Sequence, residues 1–445
     1  MIGALRRLAQ RAALVAAFLP ASTAFSAQPA RRAVIIVVDG VRRDTFEQAY
    51  RDGPLPNFQR IFAQATWFDN ASSVLPTVTM AAHASIFTGT TPARHGVPGN
   101  QWFDRSTGRI VDYMTPGGLI CIYGIITLGG AGCSGGLANG HLLVPTIYEA
   151  AAQAGMISAV YFNQYWKGAA RAAPPGVAEL VGLLAGHPVD GRAFDSEMTG
   201  RAMSDLKSNG LPSLLTLYFM GTDTIAHQEG IASQIPYLSA TVDPLLGRIL
   251  DTIESLDPSW RKNTLFVLVS DHGRTDLPHH PEDLSLMTEL RAALPPGTTI
   301  AENGGMAYIY LDQPSLVDLP KLAAALPQNA KLSSTVAGAR VRGAGDSPRA
   351  GDLILTLKPG HYFPSAGGAG SDHGSVYSGD LNVPLLVAMP GAAGGHADDA
   401  VSITQVARTI AQYLDFPMDS ADEALPVRRA ARARTGWHEG GRPPE

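Results

Sequence analysis

Charge is scarce in this sequence. Only 16% of its 445 residues are charged, and 34 basic against 39 acidic side chains give a formal net charge of −5. Proteins whose main role is to bind nucleic acid usually neutralise phosphates with an excess of Lys and Arg, so the sequence argues against that role. A hydrophobic content of 45% over this length also excludes a disordered or fibrous chain.

A long apolar segment is missing from the N-terminal region. The apolar run there extends only from Ala12 to Leu19, follows three arginines and precedes small residues that suit signal peptidase. These are the features of an export signal, and the run is too short to span a bilayer with margin. We therefore predict that residues 1–26 are a signal peptide and that the protein is periplasmic or secreted. An uncleaved anchor helix is the alternative.

Cysteine is almost absent. Cys121 and Cys133 are the only two, and they enclose a short glycine-rich stretch. In an oxidising compartment such a pair usually forms a disulfide, which we predict here. A metal site on this pair is disfavoured, because no second Cys or His pair flanks it.

Three continuous apolar runs are present, and each leads into an aspartate. They cover residues 33–38, 214–220 and 264–270. Runs of this kind are typical of parallel strands that are buried on both faces. Helical patterns lie between them, at Val144 to Ala154 and at Tyr237 to Ser255, where Pro244 predicts a kink or a break. The alternation predicts an α/β fold, a doubly wound sheet flanked by helices.

The stretch 286–363 interrupts this alternation. Its pattern predicts a small α/β insertion or cap within a main domain that covers residues 31–427. The Arg-, Gly- and Pro-rich tail, residues 428–445, is predicted to be disordered. The elements predicted in the insertion are two helices, Leu286 to Leu294 and Leu316 to Leu326, and two strands, Met306 to Leu311 and Asp352 to Leu357.

The aspartates that follow the apolar runs are Asp39, Asp223 and Asp271. One such residue is easily explained as a turn or helix-cap residue. Three at matching strand ends are better explained by a ligand site, because ligands of open α/β sheets bind beyond the carboxyl ends of the strands.

Three histidines extend this carboxylate set. Asp223 and His227 are four residues apart, so one helical turn would direct both side chains at one ion. Asp271 and His272 are adjacent and therefore need a loop. Oxygen and nitrogen ligands of this kind suit two zinc ions, with other divalent metals as the alternative. The predicted ligands are Asp39, Asp223, His227, Asp271, His272 and His373.

A candidate nucleophile is Thr79, at the start of a helix-like stretch. The N-terminus of a helix favours a phosphate group, and a nearby metal ion favours the deprotonated hydroxyl. Taken alone, Thr79 is better explained as a helix cap.

These residues belong to a longer series of short motifs in a fixed order. In that order they resemble the type I phosphodiesterase/nucleotide pyrophosphatase family of the alkaline phosphatase superfamily. The motifs are Val38-Asp39-Gly40, Pro76 to His83, Thr88-Gly89 with Pro92, His95 and Gly96, then Asn100, Asp223 with His227, Ser270 to Gly273, and His373-Gly374.

The resemblance implies an alkaline-phosphatase-like fold and a hydrolase that acts on a small phosphodiester or nucleotide-like substrate. It implies a covalent phosphothreonine at Thr79, and an amide of Asn100 that binds a non-bridging phosphate oxygen. It also assigns the ligands to two zinc ions: Asp223, His227 and His373 to one, and Asp39, Thr79, Asp271 and His272 to the other.

Two positions depart from the family pattern. Met80 and Ala82 stand where the family usually has an aromatic residue and an asparagine, which weakens the case for a nucleotide substrate. A phosphonoacetate-hydrolase-like or phosphomonoesterase activity is therefore an alternative. Tyr161, Tyr165 and Trp166 could supply another aromatic face for a nucleotide base to stack on, although Tyr and Trp residues more often pack in the core.

Several other interpretations remain open at this stage. Ser134 lies in a G-x-S-x-G pattern, but the residues after it do not predict the helix that a serine hydrolase needs. The pair His279-His280 is better explained as a solvated turn than as a zinc site. His83 orients the nucleophile segment or is an ordinary helix-face histidine. A metal-binding recognition protein without catalysis is the non-enzymatic alternative.

Overall fold

The three apolar runs form neighbouring strands at the centre of an eight-stranded sheet, seen in a computed structural model of the chain. The structure describes residues 30–115, 118, 136–173, 190–277, 285–363 and 370–428. The predictions for the signal peptide, the Cys121–Cys133 disulfide, Ser134, His279-His280 and the tail after Arg428 lie outside the described residues. One expectation beside them was wrong. Leu137–His141, in the stretch that follows Ser134, form a short helix in which Ala138 and Asn139 are buried, so packing outweighs the low helix propensity of Asn139 and Gly140.

Sixteen strands occur in the described ranges. They are β1 Arg32–Val38, β2 Thr66–Ser72, β3 Gln101–Asp104, β4 Arg109–Asp112, β5 Ser158–Tyr161, β6 Arg171–Ala173, β7 Leu214–Phe219, β8 Thr264–Val269, β9 Thr275–Asp276, β10 Thr299–Asn303, β11 Met306–Tyr310, β12 Val336–Val341, β13 Leu353–Leu357, β14 Ser371–Asp372, β15 Leu385–Ala388 and β16 Gly395–Ser402.

The described α-helices lie mostly between these strands. They are α1 Arg43–Asp52, α2 Pro56–Phe62, α3 Thr79–Thr88, α4 Pro92–His95, α5 Leu137–His141, α6 Ile147–Gln153, α7 Gly191–Asn209, α8 Gly221–Glu229, α9 Gln234–Tyr237, α10 Asp243–Leu256, α11 Trp260–Asn263, α12 Leu286–Ala293, α13 Leu319–Ala325, α14 Ser378–Leu381 and α15 Gln405–Leu414.

The main sheet has the strand order β16-β2-β15-β8-β1-β7-β5-β6. Only β15 runs antiparallel to its two neighbours, and the other pairs are parallel. Every residue of β7 and β8 is buried. Ile35 and Ile36 of β1 are both fully buried but belong to different apolar clusters, because successive strand residues point to opposite faces. The predicted α/β class, with a doubly wound sheet flanked by helices, is confirmed.

The register of the central strands brings their carboxyl ends level. Ala33–Val38 of β1 pairs with Leu214–Phe219 of β7, and Arg32–Val37 pairs with Thr264–Val269 of β8. The residues that follow these strands therefore lie at one edge of the sheet. The last residue of β7 pairs with Val38 and the last residue of β8 pairs with Val37, so the ends of these three strands differ by at most one residue.

The two helical patterns are present with shifted bounds. Thr146 caps α6 through a reciprocal capping box with Glu149. The second pattern is interrupted by a π-helical turn at Leu238–Val242, directly before α10 with Pro244 near its start. A prolyl nitrogen cannot donate a helix hydrogen bond, so a change of helix type at this point is expected.

The stretch 286–363 contains a separate antiparallel sheet with the order β10-β11-β13-β12. It has its own apolar core, which includes Ile309, Leu355 and Phe363. The strands β10 and β12 were not predicted from the sequence. Both are short strands with polar or partly exposed residues, among them Glu302 and Arg340, so neither shows the continuous apolar pattern. No described helix has the length and apolar character needed to cross a bilayer.

Candidate metal and phosphate site

The turn after β1 joins two of the three strand ends. Gly40 N donates to Asp271 Oδ1 at 3.1 Å, and Val41 N donates to Ser270 Oγ at 2.9 Å. Gly40 has a φ of 63°, and a Cβ there would lie 2.4 Å from Asp223 Oδ1. A glycine is therefore required both by the backbone conformation and by the close approach of the third strand-end carboxylate.

Four predicted residues form what we call the buried half of the site: Asp39, Thr79, Asp271 and His272. His272 Nε2 lies 3.3 Å from Thr79 Oγ1, 3.4 Å from Asp271 Oδ2 and 3.5 Å from Asp39 Oδ1. Two ligands of a tetrahedral zinc ion lie about 3.3–3.4 Å apart when each bond is about 2.0–2.1 Å. The spacing of these atoms therefore fits a zinc ion.

The tautomer of His272 also fits a metal ligand. Its Nδ1 lies 2.9 Å from the carbonyl oxygen of Gly273. A carbonyl only accepts, so Nδ1 carries the proton and donates, and Nε2 keeps its lone pair for the site. His373 is held in the same way, because its Nδ1 donates to the carbonyl of Thr77 at 2.9 Å. Such backbone bonds are the usual partners of histidine ligands.

Several buried polar atoms in this half and directly beside it have no hydrogen-bond partner among the described residues. They are Asp39 Oδ1, His83 Nε2 and Asp271 Oδ2, and ligand atoms of the three residues lie within 4.8 Å of one another. Unsatisfied buried polar atoms are costly. A cation between the carboxylates would satisfy them, so the residues present fit a metal ion.

His83 is placed against this half rather than on an ordinary helix face. Its Nε2 lies 3.3 Å from Asp271 Oδ2, and its Nδ1 lies 3.1 Å from Asn163 Oδ1. The same Asn163 oxygen accepts from Tyr165 N at 3.1 Å. Because Tyr165 N can only donate, the Asn163 atom that faces His83 is the oxygen, and His83 Nδ1 donates to it.

The remaining three predicted ligands, Asp223, His227 and His373, form what we call the open half. Asp223 and His227 share one face of α8, with Oδ2 and Nε2 3.2 Å apart. His373 Nε2 lies 3.9 Å from Asp223 Oδ1. The two halves adjoin, because ligand atoms of Asp39, Asp223 and His272 also lie within 4.8 Å of one another.

Electrostatics connect the three carboxylates. Burial, followed by the charges of Asp271 and Asp223, raises the pKa of Asp39 well above its usual range. Burial also acts to raise the pKa of Asp271, but His272 and His83 outweigh it and hold that pKa below its usual range. Three carboxylates packed this closely repel one another when ionised, and divalent cations relieve that repulsion.

Thr79 is the first residue of α3 and does not cap it. The N-cap is Val78, without a side-chain cap bond, and Thr79 Oγ1 faces His272 instead. The acceptor for the helix start is Asn100, whose Oδ1 accepts from Met80 N at 3.0 Å. This bond fixes the amide, and no partner for Asn100 Nδ2 is found in the described part of the chain.

Three residues at the site were missed by the sequence analysis. Asn303 accepts from Asn100 N at 2.8 Å through Oδ1, and so ties the small sheet to the site. In the sequence, Asn303 and the glycine that follows it indicate only a turn, so the role of Asn303 could not be recognised there. The Tyr218 hydroxyl donates to Asp39 Oδ2, although Tyr218 lies in a strand whose sequence pattern is that of the core. Arg274 donates to Asp223 Oδ1.

The substitute stacking face is not present. Tyr161 and Tyr165 are buried: the Tyr161 hydroxyl donates to Asp205, and the Tyr165 hydroxyl donates to the Met80 carbonyl at 3.0 Å. Trp166 packs, partly buried, against the core cluster that includes Tyr165. These three aromatic side chains therefore pack within the protein, and only Tyr161 lies in a strand, β5.

The fold and the grouped ligands define an alkaline-phosphatase-like protein with a candidate two-ion centre. The family described as "Type I phosphodiesterase / nucleotide pyrophosphatase" matches residues 33–376. The chain belongs to this family, and the resemblance seen in the sequence is confirmed.

Individual relatives agree with this assignment. The chain is 36% identical to alkaline phosphatase PafA of Elizabethkingia meningoseptica over 77 residues, which cover 17% of this chain and 14% of PafA. The aligned part thus spans about a seventh of that relative. Murine ectonucleotide pyrophosphatase/phosphodiesterase 5 has a similar structure, with a TM-score of 0.63 at 14% identity, covering 88% of this chain and 98% of the other. Phosphonoacetate hydrolase from Sinorhizobium meliloti 1021 gives a TM-score of 0.61 at 18% identity, covering 87% and 96%. At such identities the structures establish the fold.

Proposed function

We propose that the protein is an exported, two-zinc phosphodiesterase of the nucleotide pyrophosphatase type that works through a covalent phosphothreonine. The observation that carries this proposal is the position of Thr79 Oγ1, 3.3 Å from His272 Nε2 at the start of a helix. A hydroxyl in that position adjoins both a metal-ligand set and a helix N-terminus, which together favour an anionic phosphate.

The ligand residues divide between the two halves. Asp39, Thr79, Asp271 and His272 would hold one ion, and Asp223, His227 and His373 the other. Bound zinc would supply positive charge that favours a deprotonated attacking oxygen and stabilises a leaving oxygen. His272 and His373 present the correct nitrogen for this role, because backbone carbonyls hold their Nδ1 protons.

The chain's own groups would perform the remaining steps. Thr79 Oγ1 would pass its proton to solvent and attack phosphorus in line with the leaving oxygen. The bond from phosphorus to that oxygen breaks as the phosphothreonine forms, and the oxygen leaves with the electron pair and takes a proton from water. Water then attacks the same phosphorus from the opposite side and releases Thr79. Asn100 Nδ2 would donate to a non-bridging oxygen, since its Oδ1 is already engaged by Met80 N.

The charges near Thr79 favour a diester. Arg94, a possible cation for a doubly charged monoester, instead pairs with Asp422 at 3.1 Å on the surface. Arg274 is fully buried and occupied by Asp223. The proposed phosphate donor, Asn100, is neutral, which suits the single negative charge of a diester better than the double charge of a monoester.

Two substrate classes compete with this assignment. The similar proteins are named alkaline phosphatase and phosphonoacetate hydrolase, which makes a monoester and a phosphonate the alternatives. Purified protein with measured zinc content should be assayed on a diester, a monoester, a dinucleotide and phosphonoacetate, with and without chelator. We expect the highest kcat/KM for a diester, lost on chelation. Higher kcat/KM for the monoester or for phosphonoacetate would replace the diester assignment.

Thr79→Ala tests the covalent mechanism. The zinc content should remain near wild type, because Asp39, Asp271 and His272 still offer three ligands, whereas diester hydrolysis should fall by at least about a thousandfold. Thr79→Ser is the matched control, since it keeps a hydroxyl and should retain a measurable phosphorylated intermediate. Near-normal hydrolysis by Thr79→Ala would refute the phosphothreonine.

A further inference from the structure

Arg274 is a fully buried arginine at the junction of the two halves. It follows Asp271 and His272 by only a few residues but contacts the other half. Its Nη1 donates to Asp223 Oδ1, and to the Asp223 main-chain oxygen at 3.0 Å. Its Nη2 donates to the Ser371 carbonyl at 3.4 Å. One guanidinium therefore links segments that carry ligands of both halves.

Packing fixes the guanidinium in this position. A Cβ on Gly40 would lie 2.9 Å from Arg274 Nη1 and 2.4 Å from Asp223 Oδ1, so the ion pair fills the space left by the missing side chain. Arg274 cannot withdraw to solvent, because its side chain has no exposed surface. A buried arginine keeps its charge, and here that charge lies directly on a predicted metal ligand.

The two oxygens of Asp223 consequently have different partners. Oδ2 lies 3.2 Å from His227 Nε2, whereas Oδ1 accepts from Arg274 and lies farther, 3.9 Å, from His373 Nε2. The fixed cation of Arg274 therefore offsets part of the negative charge of Asp223, and less of that charge remains to attract a metal ion.

Resting on the proposed function, we infer that Arg274 is a positioning residue that leaves Asp223 a single oxygen for the open-half ion and lowers the affinity of that half for zinc. The buried half has no equivalent, because no described Lys or Arg pairs with Asp39 or Asp271. Two like charges on one carboxylate repel each other strongly in a buried site.

Zinc titration of the metal-free protein tests this inference without an activity assay. Competition with a chromogenic chelator resolves binding steps, and the step that His227→Ala removes is assigned to the open half. In Arg274→Met we expect the open-half step to tighten by at least about tenfold, the size of effect that partners of metal ligands commonly have. The buried-half step should tighten clearly less than the open-half step, because Arg274 contacts Asp223 but neither Asp39 nor Asp271.

Two control variants separate charge from packing. Arg274→Lys keeps the charge and should leave the open-half affinity within about threefold of wild type. Arg171→Met removes another partly buried ion pair, with Asp205 at 2.7 Å, and should change neither binding step. If Arg274→Met does not fold, Arg274→Gln replaces it with the same expectation.

Unchanged or weaker zinc binding at the open half of Arg274→Met or Arg274→Gln would overturn the inference. That result is distinguishable from a failure of the proposed function. If the wild-type protein shows no zinc binding at all, the two-zinc proposal fails. If both steps are present and only the shift is missing, the role of Arg274 alone is refuted.

Discussion

The two halves of the candidate site use the same ligand chemistry in different surroundings. In the buried half, the side chains of His272 and Asp271 are 0% exposed and that of Asp39 is 4% exposed. In the open half, His227 is 24% and Asp223 is 16% exposed. The buried half also contains the unpartnered polar atoms, whereas Asp223 already has a cation in Arg274.

This difference predicts two ions of unequal affinity. Buried carboxylates without a cation are strongly destabilising, so an ion that joins them gains the full benefit of relieving that cost. In the open half, exposure to solvent and the ion pair with Arg274 already offset part of the cost of burying the Asp223 carboxylate. We therefore expect the buried half to keep its zinc when the open half has lost its own.

The largest effect should follow from breaking the buried half. Asp271→Asn keeps an oxygen that can accept from Gly40 N but removes the carboxylate charge. We expect loss of one zinc equivalent and at least a roughly thousandfold loss of diester hydrolysis, since a catalytic ion contributes several kcal/mol. Elemental analysis and kinetics on one preparation measure both.

The matched change in the open half is Asp223→Asn. It should also lose activity, but it should release only the weaker equivalent and leave the tighter one bound. The opposite result, in which Asp223→Asn loses the more tightly bound zinc ion and Asp271→Asn loses the more weakly bound one, would show that the open half has the higher zinc affinity and would contradict this prediction.

A pH-dependent effect on stability should come from Asp195, which lies beside the helix of the open half. This buried carboxylate accepts from Met220 N at 3.1 Å and from the Tyr237 hydroxyl at 2.9 Å, at the start of the helix that carries Asp223. Burial raises the pKa of Asp195 to about 7, against about 3.9 in an unfolded chain. Between these values the folded protein keeps a proton that the unfolded chain releases. The contribution of Asp195 to stability therefore falls as pH rises from about 4 to about 7, by up to about 4 kcal/mol.

Asp195→Asn should remove this dependence, because an amide does not titrate and its oxygen still accepts from Met220 N. The difference in unfolding free energy between variant and wild type should be near zero at about pH 4 and should grow in favour of the variant up to about pH 7. Urea unfolding at several pH values measures it. A difference that stays constant across this range would show that Asp195 ionises normally in the folded protein.

A smaller effect should come from Asn100, which contacts the helix of the nucleophile. Asn100→Asp keeps the acceptor for Met80 N and loses the amide donor, whereas Asn100→Ala loses both. We expect both variants to lower kcat/KM for a diester by about a hundredfold or more. Only the alanine variant should also lose about 0.5–2 kcal/mol of stability, the usual cost of a helix cap. Full turnover by Asn100→Asp would exclude the amide from phosphate binding.

The sequence alone predicted the architecture and six candidate ligands that the structure brings together, for an identifiable reason. Continuous apolar runs such as residues 33–38 specify parallel strands, and the ends of parallel strands meet at one edge of the sheet. Asp39 and Asp271 follow such runs directly. Asp223 and His227 need only one helical turn to share a face. These relations are local, so spacing and periodicity reveal them.

The tertiary structure decided which neighbours those ligands have. Arg274 pairs with Asp223 across 51 positions, Tyr218 donates to Asp39 across 179, and Asn303 holds Asn100 across 203. None of these partners has a local pattern that marks it, because each contact depends on strand register and on how the small sheet packs against the main one. Burial then determines how much free energy it costs to keep each carboxylate ionised. This cost is high for a carboxylate without a partner in the core and low for one beside a guanidinium or water.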